Sequence, residues 1–144
     1  MGIERRRREL DVPGIRIGTG TLLEYADVLL TTAQVLALMA TPITLVAAPG
    51  AGKVLEFVGA LLFLDYASIG YTESTDNLAV KYENGSGAAA SDTIETTGFI
   101  DQVADTMTTA RAKVDAIAAK TGCENKALVL HNTGAGEWGA GNAA

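Results

Sequence analysis

Strict alternation of apolar and polar positions marks one stretch clearly. Leu78, Val80 and Tyr82 are set to face inward, and Lys81 and Glu83 outward, which predicts a half-buried strand. Residues 127–131 form an apolar run, Ala-Leu-Val-Leu-His, that reads as a buried strand. Residues 42–47 read as another strand, and the Pro49-Gly50-Ala51-Gly52 sequence as a tight connection. Residues 53–64 then predict the second arm of a hairpin with 42–47. That arm is apolar on both faces from 57 to 64, so it is expected at the centre of a sheet, covered on both sides.

Other segments carry weaker patterns. Ile15 and Ile17 flank Arg16 in a short strand pattern. Thr31 or Thr32 can cap a short helix running to about Met39, with Ala33, Leu36 and Ala37 on one face. Residues 66–77 read as a polar loop, Asn84-Gly85-Ser86-Gly87 as a turn, and Thr93-Ile94-Glu95 as a short strand. Val103, Met107, Ala110, Val114 and Ile117 recur at helical spacing and predict a partial helix, although Thr106, Thr108 and Thr109 are β-branched. The glycine- and alanine-rich tail from Gly134 has no strand pattern. Several short strands separated by glycine-rich turns predict a mainly β fold, a jelly-roll-like β-sandwich or barrel with one or two short helices.

Charge divides the chain. Residues 1–11 hold Arg5, Arg6, Arg7 and Arg8 against Glu4, Glu9 and Asp11. The other residues carry seven basic and fourteen acidic groups. A net acidic body repels nucleic acid and anionic membranes. The division therefore predicts a basic N-terminal arm at 1–11 and a single β-rich domain at 12–144. The arm is expected to stay solvated or to order on an acidic partner surface, with nucleic-acid contact as a weaker third reading. Residues 28–52 contain no charge and are long enough to cross a bilayer. Pro42 and the Pro49-Gly50 pair break them, so a short helix, a break and a strand are expected there and no membrane span.

No candidate chemistry survives its own requirements. Ala47 and Val54 stand where a phosphate loop needs its first glycine and its magnesium-binding hydroxyl. Gly134-Ala135-Gly136-Glu137-Trp138-Gly139 matches the dinucleotide fingerprint, but five residues after Gly139 leave no room for the required helix. His131 is the only histidine and Cys123 the only cysteine, which excludes multi-histidine metal sites and internal disulfides. His131 is expected to be structural and Cys123 to be an incidental thiol in a turn. Asn84-Gly85-Ser86 fits a glycosylation acceptor but is read as a turn. An enzyme is not expected, nor a cofactor or metal.

Residues 30–142 resemble small structural proteins of tailed-phage head modules. The resemblance lies in the stretch from Thr41-Pro42-Ile43-Thr44 to Gly52-Lys53, in Leu64-Asp65-Tyr66, in Asn77-Leu78-Ala79-Val80-Lys81-Tyr82, in Gly98-Phe99-Ile100-Asp101 and in the run from Asn125 to Gly134. It implies a capsid decoration (cement) protein. Such a protein would sit on the outer surface of the virion as a homotrimer and clamp the major capsid protein; on its charge, and not from the resemblance, the arm with Arg5, Arg6, Arg7 and Arg8 is expected to reach a neighbouring subunit. Another virion component, from the tail or the head–tail joint, and a small ligand- or glycan-binding β-sandwich are the alternatives. In the resembled group the glycine-rich loop precedes one more alternating strand; residues 140–144 carry no such pattern. The arginine arm lies outside the resemblance.

Overall fold

A computed structural model describes residues 16–17, 20–21, 25–73, 76–114 and 118–141. Among the described residues seven strands are present: β1 (Arg16–Ile17), β2 (Gly20–Thr21), β3 (Ile43–Val46), β4 (Gly59–Leu64), β5 (Leu78–Tyr82), β6 (Thr106–Arg111) and β7 (Leu128–Asn132). Two single-turn helices, α1 (Thr32–Val35) and α2 (Lys120–Cys123), complete the elements. The mainly β expectation holds, with antiparallel sheets and no closed barrel among the described residues. Ile15, Ile117 and the four arginines at 5–8 lie outside those residues.

The strand order corrects the predicted hairpin. β3 does not pair with the chain that follows it. It pairs with β7, which lies at the centre of a β3-β7-β5 sheet. β4 pairs instead with β6 in an unbroken six-pair ladder, from Gly59 opposite Arg111 to Leu64 opposite Thr106. The centre of the fold is therefore the 127–131 run, every residue of whose strand is buried. Residues 103–114 do not form the predicted helix. Thr106, Thr108 and Thr109 favour the pleated surface, and β-branching prevails over the helical spacing of the apolar residues.

Residues 88–94 join the two sheets. On one side they bond to β5: Ala90 N donates to Val80 O at 2.8 Å, and Leu78 and Ile94 exchange bonds of 3.0 and 2.8 Å. On the other side, Asp92 N donates to Arg111 O at 3.0 Å and Lys113 N to Ala90 O at 2.9 Å. The predicted strand at 93–95 is thus one bridge within a strap. Leu78, Val80, Leu128 and Leu130 from one sheet share a core with Leu64 and Ala110 from the other, closed by Leu38, Phe99 and Trp138. Apolar burial of this kind is the main stabilising term.

The start of α1 follows the local chemistry. Thr31 Oγ1 accepts from Gln34 N at 3.3 Å, and Gln34 Oε1 accepts from Thr31 N at 2.8 Å, a reciprocal capping box. The helix is shorter than expected, ending at Val35; turns carry the chain to Pro42, whose ring forces extended backbone before it. Residues 28–52 are therefore split between α1 and β3, and no helix among the described residues is long and apolar enough to cross a membrane.

Candidate functional site

The phosphate-loop look-alike is a filled turn. Gly50 N donates to Asn125 Oδ1 at 2.9 Å and Gly52 N to Glu124 Oε1 at 2.8 Å. The backbone donors that would cradle a phosphate are already satisfied by a carboxylate and an amide, and the carboxylate would repel an anion. The turn connects β3 to the bridge at Val54 and Glu124, and not to a hairpin partner.

The glycine-rich 134–139 loop is likewise folded on itself. Asn132, fully buried, accepts from Gly134 N at 2.8 Å and donates from Nδ2 to Gly136 O at 3.1 Å. Asp76 Oδ1 accepts from Ala135 N at 3.1 Å. Glu137 folds back onto the turn after α1, taking Met39 N at 3.0 Å and Ala40 N at 2.6 Å. Trp138 is only 3% exposed and Gly139 pairs with Thr72. The glycine-rich 134–139 stretch thus enters the core through Trp138 and is tied by one bridge to a loop whose Tyr71 is also buried.

His131 lies on the face of β7 opposite Leu128 and Leu130. The 84–87 turn folds over that face: Lys81 Nζ donates to Gly85 O, and Gly85 sits against the imidazole. Burial lowers the His131 pKa below its ordinary value, and the Lys81 charge adds to this; the Met39 backbone and the Glu137 carboxylate oppose it less strongly. The ring is neutral at pH 7 and packed as a core group. Cys123 is buried at the end of α2, on another part of the fold.

A cleft of about 420 Å³ opens beside Cys123, lined by Phe57, Tyr82, Ala112, Lys113 and Lys120 among others. The Tyr82 hydroxyl donates to Leu55 O at 2.7 Å, so its proton is engaged. Burial, with smaller contributions from Cys123 and Glu56, raises the phenol above its usual pKa. Tyr82 and His131 project from opposite faces of the sheet, so the structure does not join them in one site. Among the described residues no group of three or more His, Cys, Asp or Glu side chains is arranged to hold a metal ion.

Two exposed apolar features were not legible in the sequence. Residues 25–30 form no regular element, and Tyr25 is 73% and Leu29 87% exposed. The outer face of β4–β6 carries Leu61, Phe63 and Met107; Phe63 is 69% exposed. The expectation of a doubly covered central strand at 57–64 is therefore corrected: β4 has one covered face and one open face. Apolar residues on both sides hid that asymmetry, since periodicity reports which face is covered only when the faces differ.

Comparison with protein-family models, with curated proteins and with solved structures finds no match.

Proposed function

We propose that this chain is a virion structural protein: a decoration protein that binds the outer surface of the major capsid protein lattice of a tailed phage. The observation that carries the reading is the exposed 25–29 segment. A segment without regular structure, with exposed Tyr25 and Leu29, follows the basic arm at 1–11 after thirteen intervening residues and provides apolar anchors for a neighbouring subunit, by strand addition or by side-chain insertion. The filled loops support it from the other side. Both motifs that resemble nucleotide sites spend their donors within the fold, which suits a protein that works by contact area. The sequence resemblance supplies the kind of partner.

The test is cosedimentation of the purified protein with heads assembled from the major capsid protein encoded in the same genome. Saturable binding at a fixed number of copies per head is the expected outcome, weakened by removal of residues 1–11. No binding at micromolar concentration, or a genome that encodes no capsid protein, overturns the reading. The cleft beside Cys123 favours a second reading, a small-ligand-binding module, because its volume lies within the usual range of ligand pockets. Saturable binding in a glycan and metabolite screen, with no head binding, would select it.

A further inference from the structure

We propose that β4 is the seam of a twofold homodimer, in which the β4 strands of two copies pair antiparallel and fuse two β4–β6 ladders into one four-stranded sheet. The inference stands on the β4–β6 geometry and is independent of the decoration reading. Its twofold pairing differs from the threefold assembly the resemblance implies.

β4 has none of the features that keep edge strands from pairing. One side of Gly59–Leu64 bonds to β6; the other makes no backbone hydrogen bond to any described residue. The strand carries no charge and no proline, and its register is unbroken. β3, another open edge, is protected in both ways: Pro42 precedes it, and its register shifts between Thr44 and Val46. Long, flat, apolar edges invite another strand, and natural monomers guard against them. The rest of the chain is net acidic, so two copies meet at lowest electrostatic cost on this uncharged strand.

Register identifies a second copy as the occupant. Gly59, Leu61 and Phe63 share the outer side of β4, the exposed Asp65 follows in the same alternation one residue past the strand's end, and an antiparallel pair must place outer residues opposite outer residues. Centring the twofold on Leu62 does so. It sets Leu61 opposite the second copy's Phe63, and Gly59 opposite the second copy's Asp65. Gly59 is also the ladder partner of Arg111. The row across the sheet then reads Arg111, Gly59, Asp65 of the second copy, all on the outer face. Arg111 and Asp65 are both exposed, and neither makes an ion pair among the described residues. Glycine between them leaves the arginine free to lean across about 10 Å, two strand spacings, toward the carboxylate. The symmetry repeats the pair at the other end, as an isologous interface requires. Within one chain Asp65 and Arg111 stand at opposite ends of the ladder, so they meet only between copies.

Light scattering at about 5 and about 100 µM tests the seam. The expected mass at the higher concentration is about 30 kDa, two chains of 14.9 kDa. Arg111→Glu should weaken association by roughly tenfold, and Asp65→Lys with Arg111→Glu should restore most of it. Phe63→Lys should give a monomer with unchanged circular dichroism, since the side chain is exposed in one copy. A monomer at about 100 µM, a trimer, or a charge swap without rescue overturns the proposal.

Discussion

Gly134 and Asp76 occupy the same space: a Cβ on Gly134 would stand 1.7 Å from Asp76 Oδ1. The acid fills the volume of the absent side chain and accepts from the next amide, that of Ala135. Beside it, Thr96 Oγ1 donates to Asp76 O, and Asn77 O accepts from Thr133 N at 2.7 Å. Residues 76–77 thereby tie the end of β7 to the 95–96 segment. Gly134→Ala is expected to displace the loop and cost about 2–4 kcal/mol of stability, because any shift breaks a buried hydrogen bond as well as a packing contact. Chemical denaturation measures it; a cost below about 0.5 kcal/mol would show that the loop moves freely.

Asn132 is the centre of the same corner. Asn132→Ala removes two hydrogen bonds and leaves Gly134 N and Gly136 O in need of partners. A loss of about 2–4 kcal/mol is expected, with the denaturant midpoint lowered and the slope unchanged.

Core and surface apolar residues should separate sharply. Trp138→Ala is expected to cost about 3–5 kcal/mol, as a buried aromatic does. Phe63→Ala should cost less than about 1 kcal/mol in a dilute monomer, where its side chain already meets water. Equal effects from the two would contradict the assignment of inner and outer faces.

His131 predicts a pH dependence. Its folded pKa is lowered below 6.5, so between the two values the unfolded state binds more protons. Stability should therefore rise with pH through that window and level off above about pH 6.5. The contribution is present when the ring is neutral and is lost on acidification. Melting temperatures from pH 5 to pH 8 would show the slope, and His131→Gln should flatten it. A His131→Gln variant with the same slope would assign it to other groups.

The sequence revealed elements better than partners. The strand at 78–82 was plain because its alternation separates Val80 from Lys81, and β7 because five successive residues suit burial. The cap of α1 was narrowed to Thr31 or Thr32; that Thr31 holds it, with Gln34 as reciprocal partner, came from the structure. The hairpin expectation failed because the Pro49–Gly52 turn is local and convincing. Yet β3 finds its partner some eighty residues later, where Val129 and Leu130 provide a buried surface that residues 53–58 do not. Trp138 and Tyr71 were missed in segments whose glycines and polar residues suggested loops; both are held by contacts distant in sequence. The exposed Phe63 was hidden by apolar neighbours on either side. Such information lies in the pairing of distant segments, which local pattern does not report.

The pairing of β3 with β7 also sets when the protein can exist. As the chain leaves the ribosome, β3 and β5 emerge early, each with an unbonded side reserved for a strand still being made. Neither half of that sheet can close until residues 128–132 arrive. The fold should therefore assemble late and all at once, and a ribosome-bound chain ending before Asn132 should be as protease-sensitive as an unfolded one.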